Sequence, residues 1–203
     1  QTGGPSGGVI TADYIDTPID YENLQKLGSI MGSGGMIVMD EDDCIPDIAK
    51  FYLGFTVDES CGKCTPCRVG GRQLYNYVDK ITKGKGSRED MEKMKQIGHA
   101  MRKASLCGLG QTSPNPVLST MHYFEKEYLA HIDEHTCPAG KCKDLIRYFI
   151  LPDKCIGCGL CARRCPVTCI TGEKRQPHVI NEAACIKCGE CYSVCKFGAV
   201  VRK

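Results

Sequence analysis

Residues 155–166 read C-I-G-C-G-L-C-A-R-R-C-P, and residues 185–195 read C-I-K-C-G-E-C-Y-S-V-C. The first run is C-x2-C-x2-C-x3-C-P without departure. The second starts thirty residues later and repeats it, with Lys196 where the first has proline. Three cysteines in such a turn point at one centre, and the fourth, displaced by a short turn, reaches the other centre; this spacing holds pairs of [4Fe–4S] clusters. It assigns Cys155, Cys158, Cys161 and Cys195 to one cluster and Cys185, Cys188, Cys191 and Cys165 to a second. Gly157, Gly159 and Gly189 let backbone N–H groups approach the sulfurs, which stabilises an anionic cluster. Zinc ribbons are the competing reading, but they need C-x2-C pairs rather than a doubled four-cysteine run.

The wider composition narrows the class. Sixteen of 203 residues are cysteine. Disulfides suit small secreted chains, whereas here the cysteines crowd into tight runs and no export signal is visible. The near balance of 26 Lys+Arg against 24 Asp+Glu argues against a nucleic-acid surface. No apolar run is long enough to span a bilayer, and a cytoplasmic location is expected. With 42% apolar residues, 14 Phe and Tyr and no Trp, the cores must be small and need a staple other than burial. The opening Q-T-G-G-P-S-G-G-V-I reads as the middle of a longer chain.

A third set lies upstream. Residues 59–70, E-S-C-G-K-C-T-P-C-R-V-G, place Cys61, Cys64 and Cys67 in one more C-x2-C-x2-C turn. Cys107, in the glycine-rich S-L-C-G-L-G, is the natural fourth donor for a third [4Fe–4S] cluster, with zinc the alternative. Of the four cysteines left over, Cys137 and Cys142 stand in H-I-D-E-H-T-C-P-A-G-K-C at residues 131–142. Two thiols with histidines just before them suit a tetrahedral zinc site. Cys44 completes it if its helix returns to the same end of the domain. His131 is the preferred histidine and His135 the rival; the bland alternative is a set of buried thiols. Cys169 reads as a core thiol at the start of a strand, with no ligand role.

The expected architecture is α+β and multidomain. Residues 1–40 are the end of a small α+β domain; their G-G-P-S-G-G lacks the G-K-[S/T] of a phosphate loop, and no dinucleotide fingerprint is present. Residues 41–133 form a four-helix bundle. The first helix is capped by Asp43, the second begins at Pro66, the third carries a capping box in S-R-E-D at 87–90, and the fourth opens at S-P-N-P, 113–116. The Met and aromatic stripes on these helices are core. Residues 134–147 are a connector, and 148–203 alternate short strands near 148–151, 178–181 and 199–202 with brief cluster-bearing helices. Arg68, Arg72, Arg163 and Arg164 could dock an acidic protein, although solvated basic residues are the simpler reading.

Residues 146–203 resemble the two-cluster bacterial ferredoxins. E-S-C-G-K-C-T-P-C-R-V-G, the helices after it and S-L-C-G-L-G resemble the NADH- and flavin-binding subunit of respiratory complex I, and G-G-P-S-G-G and G-S-G-G-M-I-V-M-D look like the β-grasp domain that precedes that motif. The combination, with H-x5-C-P-A-G-x-C between, is similar to the beta subunit of soluble multimeric, electron-bifurcating [FeFe]-hydrogenases. NAD-linked formate dehydrogenases use similar subunits, so the equivalent subunit of an NAD(P)-linked formate dehydrogenase or other NADH:acceptor oxidoreductase is the alternative. The resemblance implies a one-electron relay between flavin, ferredoxin and a hydrogenase partner. It further implies FMN and NAD(P) in an N-terminal domain outside this chain, and a hetero-oligomer with an [FeFe]-hydrogenase catalytic subunit and a small [2Fe–2S] subunit. A zinc-stabilised interaction module without redox activity is the rival from another class.

Overall fold

Ser87 Oγ accepts the N–H of Asp90 at 3.2 Å, and Asp90 Oδ2 accepts the N–H of Ser87 at 3.0 Å. The capping box expected at S-R-E-D therefore starts its helix at the residue that the sequence names. It belongs to a computed structural model that describes residues 1–202. The chain divides into one unit spanning Gln1–Cys142 and a second from Lys143 onward.

In the first unit the helices are α1 (Tyr21–Lys26), α2 (Ile45–Asp58), α3 (Gly71–Thr82), α4 (Arg88–Ala104), α5 (Gly108–Thr112), α6 (Asn115–Tyr123) and α7 (Glu125–Asp133). Apolar residues recur at helical spacing: Ala49 and Leu53 on α2, Leu74, Val78 and Ile81 on α3, Met91, Met94 and Met101 on α4. They meet Val117, Met121, Tyr128 and Ile132 from α6 and α7 in one buried core. Each fully buried side chain of this kind contributes about 1.5–3 kcal/mol. Backbones approach closely where glycine permits: a Cβ on Gly70 would stand 2.8 Å from Met101.

Two local expectations change, and a third, the helix that begins at Pro66, is refined. Asp43 does not cap α2. Cys44 is the N-cap, with an extended backbone and no side-chain cap bond, and the Ile45 N–H is taken by Glu127 Oε1 of α7 at 2.9 Å. The cap thus comes from another helix, because the Cys44 sulfur is turned elsewhere. The second helix opens as a π-helical turn, Pro66–Gly70, before α3. The fourth helix is broken at Phe124, whose backbone leaves the helical region and serves both as C-cap of α6 and N-cap of α7. Across that break the Thr120 and Tyr128 hydroxyls hydrogen-bond at 2.8 Å in the core. Among the described residues 1–40 no strand forms; Thr2 makes isolated bridges to Gly8 and Met36.

The second unit holds β1 (Tyr148–Ile150), α8 (Leu160–Arg164), β2 (Ile170–Thr171), β3 (Val179–Ile180), α9 (Glu190–Val194) and β4 (Val200–Arg202). Antiparallel pairs join β1 to β4 and β2 to β3. Ile150 faces Val200, and Ile180 faces Ile170. A shift of thirty positions exchanges the two pairs, so the sequence repeat is an internal two-fold in the ladders. The backbone follows it. Gly157 and Lys187, Gly159 and Gly189, and Thr168 and Gly198 are all left-handed. Lys187 and Thr168 accept that conformation at a cost of about 1–2 kcal/mol each, as the repeated turn requires. Of the eight buried residues in this core, Ile146, Tyr148, Ile170, Ile180 and Val200 are apolar in the ordinary sense and Cys161, Cys169 and Cys191 are thiols. Five such residues are too few to hold a unit of this size without a staple.

Candidate iron–sulfur and metal centres

The repeat turns build the second unit's centres. Gly159 and Gly189 are the left-handed N-caps of α8 and α9, which puts Cys161 and Cys191 in the first turn, both buried. Each helix ends at the fourth cysteine of its run, Cys165 or Cys195, with extended backbone. Burial opposes the charged form of Cys165, but the backbone N–H groups of Cys169, Val167 and Thr168 and the Cys169 thiol outweigh it and hold Cys165 below its ordinary value. Burial likewise opposes the thiolate of Cys195, and the N–H groups of Val200, Phe197, Ala199 and Gly198 hold it below its ordinary value. Each fourth cysteine thus sits in a nest of successive backbone donors that favours the thiolate, the form that binds iron.

One cavity is lined by Cys165 together with Cys185, Cys188 and Cys191. The set drawn from both runs meets there across the internal two-fold. Cys169 lines the same cavity, and burial pushes its thiol up to about 12. Cys155 and Cys158 lie close enough to Cys161 to add to the burial that raises it. Thiols with backbone donors around them are the donor set that a cubane takes.

In the first unit Cys67 rides on the π-helical turn, 3.3 Å from Ser60 Oγ. Cys64 is held below its ordinary value by the backbone N–H groups of Leu106 and Cys67, against a small burial effect; Leu106 is the neighbour of Cys107. A Cβ on Gly110 would stand 2.9 Å from Cys67 Cβ and 2.7 Å from Ser105. The loop around Cys107 is thereby packed against the 61–67 turn. Ser105 Oγ is buried there with no hydrogen-bond partner among the described residues, which fits a place where cluster sulfur is the acceptor. Cys61 and Cys107 are exposed.

The tightest group is Cys44, His131, Cys137 and Cys142, whose ligand atoms all lie within 4.8 Å of one another. Cys44 Sγ is 3.3 Å from His131 Nε2 and 3.5 Å from Cys142 Sγ, and Cys142 Sγ is 3.5 Å from His131 Nε2. Zn–S and Zn–N bonds of about 2.3 and 2.0–2.1 Å set tetrahedral ligand atoms about 3.5–3.8 Å apart, so the set fits a single ion. His131 Nδ1 donates to the Glu127 carbonyl at 2.8 Å, which leaves Nε2 free for the centre. Hydrogen bonds from Cys142 and Cys44 draw Cys137 far down, while burial resists; bonding to Cys137 pushes Cys142 up to about 12. His135 is exposed and outside the group.

Residues 47–131 match the NADH-ubiquinone oxidoreductase-F iron-sulfur binding region, and residues 147–199 match the 4Fe-4S dicluster domain. "NADP-reducing hydrogenase subunit HndC" of Solidesulfovibrio fructosivorans is 57% identical over the whole of this chain, which spans 41% of HndC. The chain is homologous to HndC and to a subunit of NADH-quinone oxidoreductase. That NADH-quinone oxidoreductase subunit, from Mycobacterium bovis, is 37% identical over 67% of this chain and 31% of its own length. The structure of an NAD+-reducing [NiFe]-hydrogenase in its H2-reduced state aligns with a TM-score of 0.60 at 32% identity, over 66% of this chain and 23% of that one. The chain therefore spans less than half the length of these relatives. Both matched regions are iron–sulfur regions, as the cysteine spacing requires.

Sequence reasoning missed Glu127, which caps α2 and orients His131 through its carbonyl; a lone Glu on a helix carries no signal. It also missed a hollow of about 800 Å³ lined by residues such as Ile10, Tyr14, Met36 and Val38, which no cysteine lines. Two of the four arginines singled out serve the cysteine loops: Arg68 Nη1 donates to the Gly62 carbonyl at 2.8 Å and Arg163 Nη1 to that of Cys158 at 3.4 Å. No helix among the described residues is long and apolar enough to cross a membrane.

Proposed function

We propose that this chain is the iron–sulfur electron-transfer part of an NAD(P)H-linked flavin oxidoreductase subunit in a hydrogenase complex. The supporting observation is that the two matched iron–sulfur regions stand in one chain that aligns with HndC from end to end. Three [4Fe–4S] clusters are held by Cys61, Cys64, Cys67 and Cys107, by Cys155, Cys158, Cys161 and Cys195, and by Cys185, Cys188, Cys191 and Cys165. When bound, such clusters pass electrons singly, and the protein sets their potentials through hydrogen bonds, charge and exposure. Cys44, His131, Cys137 and Cys142 hold a structural zinc that ties the start of α2 to the segment after α7.

Residues 1–40 belong to a β-grasp-like domain and the helices carrying Cys61–Cys107 to an iron–sulfur bundle. FMN and NAD(P) bind elsewhere in the parent subunit, and the electron path runs from flavin to ferredoxin and to an [FeFe]-hydrogenase catalytic subunit, with a small [2Fe–2S] subunit in the assembly. Metal analysis of the anaerobically purified parent subunit, with EPR after reduction, tests this. About twelve iron, twelve sulfide and one zinc are expected from this part of the chain, beyond any that the rest of the subunit binds. Zinc alone, in protein kept from oxygen throughout, overturns the electron-transfer reading.

A further inference from the structure

Under the thirty-residue repeat Cys169 occupies the place of Ala199. One nest therefore carries a thiol where the other carries a methyl group. Cys169 is 5% exposed. Its Sγ is 3.4 Å from Cys165 Sγ, and it lines the cavity shared by Cys165, Cys185, Cys188 and Cys191. It is a fifth thiol among four. A thiolate bound to iron can only accept a hydrogen bond, so the proton between the two sulfurs belongs to Cys169.

We infer that Cys169 is a positioning residue: it donates an S–H hydrogen bond to the Cys165 thiolate and raises the reduction potential of the cluster on Cys165, Cys185, Cys188 and Cys191. This rests on the ligand assignment proposed above. A reduced cluster carries one more negative charge, part of it on sulfur, so a donor to a ligand sulfur stabilises the reduced form more than the oxidised one. The proton stays on Cys169 in both states and one electron alone is gained. The backbone donors are repeated at Cys195, while the thiol is not. The repeat thus provides two centres of like ligation, and at the displaced cysteine a thiol in one half takes the place of a methyl group in the other.

The test is an EPR-monitored redox titration of the anaerobically purified parent subunit, with iron analysis, for wild type, Cys169→Ala and Cys169→Ser. Alanine is the residue that the other half carries at this place, so the fold should tolerate it. Iron content is expected to be equal in all three. At the wild-type midpoint, the reduced-to-oxidised ratio of this cluster should fall severalfold in Cys169→Ala, up to about tenfold, which is 59 mV for one electron. Cys169→Ser keeps an O–H donor and should stay nearer wild type, and the signals of the other clusters should not move. An unchanged midpoint in Cys169→Ala with full iron overturns the inference. So does the loss of about four iron from that variant, which would make Cys169 a ligand or a necessary wall of the cavity. Wild-type protein without this cluster would instead remove the ligand assignment, and the inference with it.

Discussion

The ring of His131 is fixed by the backbone of its own helix: Nδ1 donates to the Glu127 carbonyl at 2.8 Å, and Nε2 is thereby aimed at Cys44 Sγ, 3.3 Å away. One i to i−4 contact selects both the tautomer and the direction of a metal ligand. The side chain of the same Glu127 caps α2, whose N-cap residue Cys44 is another member of the group. The Cys44–His131–Cys142 cluster and the α2–α7 contact are therefore one structural device.

Removal of the proposed zinc should loosen the first unit. His131→Ala, or a strong chelator, is expected to release one zinc and lower stability by about 2–4 kcal/mol, as expected for a ligand held far above its dissociation constant. Cluster iron should be retained under the mild form of the treatment. Because the thiols must lose protons to bind, zinc retention should weaken as pH falls. Zinc analysis alongside thermal unfolding checks both, and unchanged zinc in His131→Ala would remove the assignment.

The proposed crossed ligation in the second unit has a spectroscopic signature. Cys165→Ser should alter the EPR signal of the same cluster as Cys188→Ser, and Cys195→Ser that of the same cluster as Cys158→Ser. Pairing by run instead, with Cys165→Ser and Cys158→Ser changing one signal, would contradict the shared cavity.

Gly110 tests the proposed upstream centre without replacing a ligand. Gly110→Ala would drive a methyl into Ser105 and Cys67, at 2.7 and 2.9 Å, whereas a Cβ on Gly108, two residues earlier, meets nothing within 4 Å. The first variant should lose about four iron or bind them weakly, and Gly108→Ala should keep the full complement. Equal iron in both would mean that the Cys107 loop does not close on the 61–67 turn.

Asp90 sets an acid limit on the helical first unit. Burial works to raise its pKa, but Lys80 Nζ at 2.8 Å and the Ser87 hydroxyl and N–H hold it below the usual carboxylate range. A depressed carboxylate stabilises the fold above its unfolded value, near 3.9, and that stabilisation is lost as pH falls through the folded value. Asp90→Ala should cost about 2 kcal/mol at neutral pH, or roughly 4–8 °C in Tm. The gap from wild type should narrow as the medium is acidified below the unfolded value. A constant gap across that range would show that the charge of Asp90 contributes nothing.

Spacing alone was enough for much of this molecule. The doubled C-x2-C-x2-C-x3-C run fixes an internal repeat, because cysteines three apart in a turn converge and a shift of thirty residues restores every one of them. The capping box at Ser87 is equally local, since its partners are three residues apart. Other features needed the fold. Cys44 and Cys142 are 98 positions apart yet 3.5 Å from sulfur to sulfur, and helix packing, not any motif, brings them together. His131 prevails over His135 because one lies buried on the inner side of α7 while the other has left the helix, in a left-handed turn at the surface. The cap of α2 passes from Asp43 to Glu127 because the nearer side chain is not the better-placed one. Cys169 reads in sequence as one more core thiol; its distance from Cys165 depends on where the chain turns after α8. Local chemistry fixes which residues can bind a metal, and only the packed chain decides which of them share one.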